Sequence, residues 1–370
     1  MTTTVLFGDL RGGRISDYID ADAAGYEVVV NDAGSITGVQ VPRAEVARLG
    51  LRQAAPAART FLAVDVDGRL QEAGPIWSRR RELDSGTVTL DAGGLWSLFD
   101  HRKVVPVLAA GQRAQNVTHT VAGTDLGGIA RSLVALAMTH AGGNLPLILP
   151  TAQAGFRTES FPGWALHDVG EQLRQITKRE TNAPDIRFTP RYTTDRLSIE
   201  WVMEAGTEAD PLLTQAGEDW YLDASVPRSP VVGIVTDEDA TQMGMRGWVT
   251  GAGSEQDIRI GVAEDLALIA AGWPLLEVEE NRSTVLEQGT LDGHAENLVG
   301  RSARPVETWQ VVVRSSVATE ILPGHYARVV PDPADEWLGG EGEAFMRVAS
   351  KRGNLGDNVT LNMYAVRGSV

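Results

Sequence analysis

Along the first hundred residues, apolar side chains recur at every second position. In "TFLAVDVDGRLQEAGPIW", residues 60–77, Leu62, Val64 and Val66 fall on one side. Asp67-Gly68 then marks a turn, because that dipeptide tolerates positive φ. "YEVVVNDAGSITGVQV", residues 26–41, predicts a hairpin with its tip at residues 31–35. "TVTLDA", residues 87–92, predicts a strand after a turn at Asp84-Ser85-Gly86, with Val88, Leu90 and Ala92 on one face. These segments predict an antiparallel meander.

The period then changes from two to about 3.6. "TDLGGIARSLVALAMTHAGG", residues 124–143, sets Leu126, Ile129, Leu133, Leu136 and His140 on one helical stripe that stops at Gly142-Gly143. "WALHDVGEQLRQITKRE", residues 164–180, repeats it with Leu166, Val169, Leu173 and Ile176. A hairpin follows in residues 183–204, turning near Thr194-Asp195, with Leu197, Ile199 and Trp201 alternating. Short strands resume in "SPVVGIVT", "MRGWVTG" and "QDIRIGV", and one helix is expected at residues 290–299, with Leu291, Ala295 and Leu298 inward and Gly300 as its stop. The chain closes on the strands "WQVVVRSS", "GHYARVVP", "EAFMRVAS" and "NVTLNMYAV", separated by Pro323-Gly324, "LGGEG" and "GNLGDN". The expected fold is β-rich α+β, in three parts: β at 1–115, an inserted small α/β domain at 116–213, and β at 214–370.

Composition changes the picture in two ways. The chain has 370 residues and no cysteine, so disulfides and thiolate metal sites are excluded. No apolar run reaches the roughly 18 residues of a membrane helix, and "MTTTVLFGDLRGG" lacks a signal peptide's basic and apolar regions, so synthesis in a cytoplasm and no membrane insertion are expected. The net charge of −16 argues against sequence-independent nucleic-acid binding, which needs basic surface. Acidity gathers in residues 204–239, where nine carboxylates (Glu204, Glu208, Asp210, Glu218, Asp219, Asp223, Asp237, Glu238, Asp239) meet Arg228 alone. That run reads either as a solvated face or as a surface that repels polyanions.

Candidate chemistry is sparse. The six histidines, His101, His119, His140, His167, His294 and His325, form no HExxH and no compact zinc spacing. There is no GxSxG elbow. "GDLRGG" and "GTDLGG" lack the Lys-Ser/Thr of a phosphate loop, and Thr124-Asp125 reads as a helix N-cap. Carboxylates are plentiful, but no pair is singled out for glycoside hydrolysis. No catalytic residue, cofactor or metal is expected.

Four blocks, spread over nearly the whole chain, resemble the tail-hub (minor tail) proteins of long non-contractile-tailed phages that infect actinobacteria. They are residues 74–104, with "IWSRR", "DSGTVTL" and "GGLWSLFDHRKV"; "LGGIARSLV" with residues 165–188; "EVEENRSTVLEQGTLDGHAENLV", residues 277–299; and the closing "PGHYARVV" to "NVTLNM". The resemblance implies a baseplate-hub-like fold of two β-barrel-like tube domains around the α/β insertion. It further implies a homotrimer ring at the tail tip of the virion, contacts with the distal tail protein, tape measure and fibres, and genomic DNA passing through an acidic lumen without specific binding. Relatives with C-terminal extensions bind hosts; this sequence ends at Val370, so a receptor-binding or lytic role is not expected. A tail-tip cell-wall hydrolase or a carbohydrate-binding tail protein stands as the alternative.

One feature stands out against the acidic background, the run "IWSRRRE" at residues 76–82. If extended, Ile76, Ser78 and Arg80 face one way and Trp77, Arg79 and Arg81 the other. Trp and Arg are enriched at the cores of protein interfaces, so Trp77, Arg79, Arg80 and Arg81 are the candidate subunit interface, with salt bridges to the same chain's carboxylates and contact with DNA or another anion as the other readings.

Overall fold

The computed structural model describes residues 2–179, 182–253, 257–340 and 342–366. Met1, Glu180, Thr181, Gln256, Glu341 and residues 367–370, parts of stretches singled out above, lie outside the described residues. Residues up to Ile234 and from Gln310 onward form one compact unit, and Val235–Trp309 forms a second.

The first unit is built on one large sheet. In hydrogen-bonded order its strands include Asn358–Ala365, Ala344–Asn354, Ala23–Val29, Ser35–Val41, Val88–Gly93, Arg69–Arg81, Thr60–Val66, Thr3–Asp9 and Ile15–Ile19. The chain leaves the unit along strand Val231–Asp239 and re-enters it along Val306–Arg314. The meander expected near the N-terminus is therefore present, with Asp67 and Gly68 both at positive φ in its turn. The sheet is open at both ends, and the described residues form no closed barrel.

Strand Thr60–Val66 departs from the expected two-sided pattern. Leu62, Val64 and Val66 do share a face, but every residue of the strand is buried. Phe61 and Ala63 enter a core with Leu6, Trp96, Leu133 and Trp201, while Leu62, Val64 and Val66 enter another with Val5, Phe7, Ile36 and Leu90. The strand is sandwiched, so alternation here sorts residues between two cores rather than between core and water.

The first of those cores is closed by residues 116–213. Helix Leu126–Thr139 begins at Asp125, whose carboxylate accepts the Gly128 N–H at 2.7 Å. That cap is worth about 1 kcal/mol, and the helix buries Leu126, Ile129, Leu133 and Val134. His140 lies past its end as the C-cap rather than on the stripe, and its Nε2 meets the Val105 carbonyl at 2.8 Å. Helix Val169–Ile176 starts later than expected: Leu166 stands before it in a left-handed conformation and is exposed. Hairpin Ile186–Tyr192 with Ile199–Ala205 is present, but its turn swings through Arg196 at positive φ and leaves Leu197 exposed. Trp201 is fully buried, edge-on to Phe61, and donates its indole N–H to the Ala73 carbonyl at 2.9 Å.

The second unit has a three-stranded sheet. Arg246–Thr250 lies between Ile260–Glu264, antiparallel, and Glu277–Asn281, parallel. Helix Gln288–Ser302 packs Leu291, Ala295 and Leu298 against Val249 and Val278. Gly300 does not stop it, since the helix continues to Ser302, where the serine hydroxyl donates back to the Leu298 carbonyl at 2.7 Å.

Candidate functional site

The arginine run occupies the end of strand Arg69–Arg81, whose residues Gln71–Ile76 are buried and whose last four are exposed. A β-bulge between Ile76 and Ser78 interrupts the pairing with Val88–Gly93. Ile76 lies opposite Ala92, Arg79 opposite Leu90 and Arg81 opposite Val88. The expected alternation is therefore reset. Ile76, Arg79 and Arg81 share the face of Ala92, Leu90 and Val88, because one extra residue inverts the pleat. Trp77 is parted from the arginines; its indole N–H donates to the Ser97 hydroxyl at 2.8 Å and its ring lies 4.7 Å from that of His101.

The three guanidinium groups then differ. Arg79 donates through Nη1 to the carbonyls of Arg52 (3.0 Å) and Ala55 (2.9 Å), tying off a short helical turn at Leu51–Ala54. Arg80 lies 3.8 Å from Glu82, an exposed and weak pair. Arg81 and Arg79, with Arg52, edge a pocket of about 480 Å³ whose remaining lining is Val46, Leu51 and Val88.

A second cluster, invisible in the sequence, lies inside the first unit. Asp185, itself buried, accepts from Arg347, from the Asn31 amide at 2.9 Å and from the Leu213 N–H at 2.8 Å. Arg347 also donates to the Gly324 carbonyl (3.2 Å) and the Tyr364 hydroxyl (3.0 Å). Although burial works against its charge, the carboxylate of Asp185 beside it holds its pKa above the usual value. Arg187, also buried, donates to Glu204 (2.9 Å) and to the Pro323 carbonyl. His325 takes N–H bonds from Trp220 (3.1 Å) and Leu322 (3.2 Å) on Nδ1. Burial pushes its pKa down to about 4, which keeps it neutral. These bonds clasp residues 31, 185–213, 220 and 322–364, far apart in the chain, into one joint.

A buried amine and carboxyl stand beside that joint. Lys351 is fully buried and donates to Gln71 Oε1 at 2.8 Å and to the Ala318 carbonyl at 3.3 Å. Glu72, also buried, accepts the Ala73 N–H at 2.9 Å. Burial pushes the Glu72 carboxyl up to about 8 and the Lys351 ammonium down to about 7. The signs oppose each other. Glu72, raised in the folded state, contributes stability that is present below about pH 4.5 and lost as pH rises through about 8. Lys351, depressed in the folded state, contributes stability present above about pH 10.5 and lost as pH falls through about 7. Because the depressed His325 opposes Glu72 below about pH 6.5 and Lys351 opposes it above about pH 7, the Glu72 contribution is read by difference: the stability of the native chain relative to Glu72→Gln in denaturant titration should fall as pH rises from 5 to about 8. A difference that stays constant with pH would show that Glu72 is ionised in the fold.

Elsewhere, the described residues hold no group of three or more His, Asp or Glu placed to bind a metal ion, and no described helix is long and apolar enough to cross a membrane. Of the acidic run, Glu204 pairs with Arg187 and Asp219 with Arg328. Glu208, Asp210, Glu218, Asp237, Glu238 and Asp239 lie exposed. Among the described residues, the two clusters above hold distant parts of the first unit together through hydrogen bonds and ion pairs.

No protein-family model matches the chain, and no curated protein matches it in sequence. Solved structures do match. The tail protein from Neisseria meningitidis MC58 is similar at a TM-score of 0.58 and 14% identity, over 98% of this chain and 97% of its own. The 43 kDa tail protein of prophage MuSo2 from Shewanella oneidensis gives 0.58 and 12%, over 98% and 96%. Prophage tail protein gp18 from Listeria monocytogenes EGD-e gives 0.50 and 8%, over 99% and 95%. At such identities the likeness is one of fold: this β-rich chain is similar in fold to phage tail proteins over nearly its whole length.

Proposed function

We propose that this chain is a structural hub protein of a phage tail tip, of the kind carried by siphophages of actinobacteria. It joins the tail tube to the distal tail protein, the tape measure and the fibres, and it works in the virion without catalysing a reaction. The observation that carries this reading is the likeness of fold to tail proteins over nearly the whole chain. Two tube-like β segments, 1–115 and 214–370, flank the α/β insertion at 116–213. Three copies would then present six such segments, matching the sixfold symmetry of a tail tube. The open sheet supports this, because an unpaired edge is normally covered by a neighbour.

Three copies around the axis are expected in native mass spectrometry or a tail-tip reconstruction. Six copies, or a lone subunit in the virion, would overturn the duplicated-segment argument. The same reconstruction tests the lumen. A conduit for DNA should not grip phosphate, and carboxylates repel the duplex over a screening length of about 8 Å at physiological salt. The inner wall should therefore be net acidic, with arginines outward or between subunits; a wall lined mainly by arginine would sink the conduit reading. Purified protein incubated with host peptidoglycan and envelope glycans should release nothing above buffer. Release abolished by replacing one carboxylate pair would make the protein a hydrolase.

A further inference from the structure

The pocket beside the arginine run has an unusual combination of walls. Val46, Leu51 and Val88 give it an apolar floor, Arg52, Arg79 and Arg81 give it a cationic rim, and no carboxylate lines its about 480 Å³. The volume is within the roughly 300–1,000 Å³ of pockets that enclose a compact ligand. In a chain with a net charge of −16, three arginines around an apolar hollow without a neutralising partner call for one from outside.

The complementary shape is present elsewhere in the same unit. In the connection between strands Tyr326–Val330 and Ala344–Asn354, Trp337 is 78% exposed. Asp332, Asp335 and Glu336, all exposed, lie close to it in sequence. The loop is held in shape. Asp335 Oδ1 accepts the N–H groups of Trp337 (2.9 Å) and Leu338 (2.7 Å), the Asp335 carbonyl accepts from Gly339 (2.9 Å), and Leu338 is buried beneath. Those N–H bonds also hold the Asp335 carboxyl below its ordinary range, so it stays anionic. The loop is an aromatic knob with a negative collar, where the pocket is an apolar socket with a positive one.

Strand register decides whether one copy can plug itself. Arg81 lies opposite Val88, Val88 opposite Val41, Gln40 opposite Ala23, and Gly25 opposite Asn354. The socket is thus at the Asn354 end of the sheet. The knob leads into the other end, where Ala344 lies opposite Val329. Roughly 30 Å of strand separates the two ends at about 3.3 Å per residue. Knob and socket belong to opposite ends of one unit, which is the layout of a head-to-tail contact.

We propose that the Trp337 loop of one copy seats in the Arg52–Arg79–Arg81 pocket of the next. The indole lies on Val46, Leu51 and Val88 with guanidinium groups over its faces, and Glu336 pairs with Arg81. Trp on one half and Arg on the other are residue types enriched at interface cores, and an arginine over an indole gains further as water leaves. Repeated from copy to copy, the contact closes a ring or runs on as a string. This deepens the proposed function and rests on its homomeric reading, though the contact can be tested apart from the ring.

The absence of cysteine makes the test specific. The full chain carrying both Glu336→Cys and Arg81→Cys is treated with a short bismaleimide, which bridges thiols too far apart for a direct disulfide, and run on a denaturing gel. It should give covalent oligomers, and a mixture of the two single variants should give a covalent dimer of one of each. Each single variant alone should stay a monomer on the gel. Trp337→Ala should weaken self-association by roughly tenfold or more in native mass spectrometry, with its circular dichroism unchanged. If the native chain forms trimers but the double variant does not cross-link, the knob-and-socket contact is wrong and the ring stands. If cross-linking runs past three copies in an open ladder, the contact stands and the threefold ring is wrong. A native chain that does not self-associate, in solution or in particles, overturns the contact.

Discussion

Replacing Asp185 with alanine should destabilise the first unit by about 3–5 kcal/mol, the cost of leaving a buried charge without its counter-ion. Arg347 keeps the Gly324 carbonyl and Tyr364 hydroxyl after the change, but neither carries charge. Asn31 Nδ2 and the Leu213 N–H also lose their acceptor. Both donors are part-buried, so water replaces some of what they lose and they move the total only toward the upper end of the range. Asp185→Asn should recover part of the loss, since the amide oxygen can still accept from Leu213. Adding Arg347→Met to Asp185→Ala should cost clearly less than the sum of the two single changes, because the second removes the stranded charge. Equilibrium denaturation of the four chains gives the coupling. Additive losses would mean that the two side chains do not depend on one another.

Reversing Arg79, Arg80 and Arg81 to glutamate should abolish tail assembly in a complementation assay while the isolated subunit stays folded. Three reversals change the local charge by six, and like charges facing across an interface cost several kcal/mol. Folding should suffer far less. Arg80 has only an exposed 3.8 Å pair with Glu82. Arg79 contributes two bonds to carbonyls at the end of a four-residue helical turn, worth about 0.5–3 kcal/mol each by usual measures. Retaining Arg79 and reversing only Arg80 and Arg81 should therefore give a subunit of nearly native stability that still fails to assemble. Normal particles from that variant would show these arginines to be solvated surface.

Periodicity by itself determined the order of elements. Two-residue alternation marked the hairpin at residues 26–41 and the strands around Leu62 and Leu90, and a 3.6-residue stripe with an Asp125 cap marked helix Leu126–Thr139. These signals are local: each follows from backbone geometry and from which side of one element meets water. Where the environment was not two-sided, the reading slipped. Strand Thr60–Val66 is buried on both faces, Leu166 and Leu197 are apolar but exposed at turns, and Gly300 sits inside a helix whose packing outweighs its local cost.

Only the tertiary structure decided which way the arginines face. One bulge at Trp77 exchanged the faces, and no composition rule foretells an extra residue in a ladder. The clasp of Asp185 with Arg347, 162 positions apart, had no signal in the chain, since each residue reads alone as an ordinary surface charge. The same holds for Lys351 and Gln71, and for the socket and knob at opposite ends of one sheet. Sequence specifies such pairs through the fold they are buried in. Local pattern fixes which segments become strands and helices, whereas the partner of a buried charge is set by register and packing across the whole unit, where desolvation makes an unpaired charge too costly to keep.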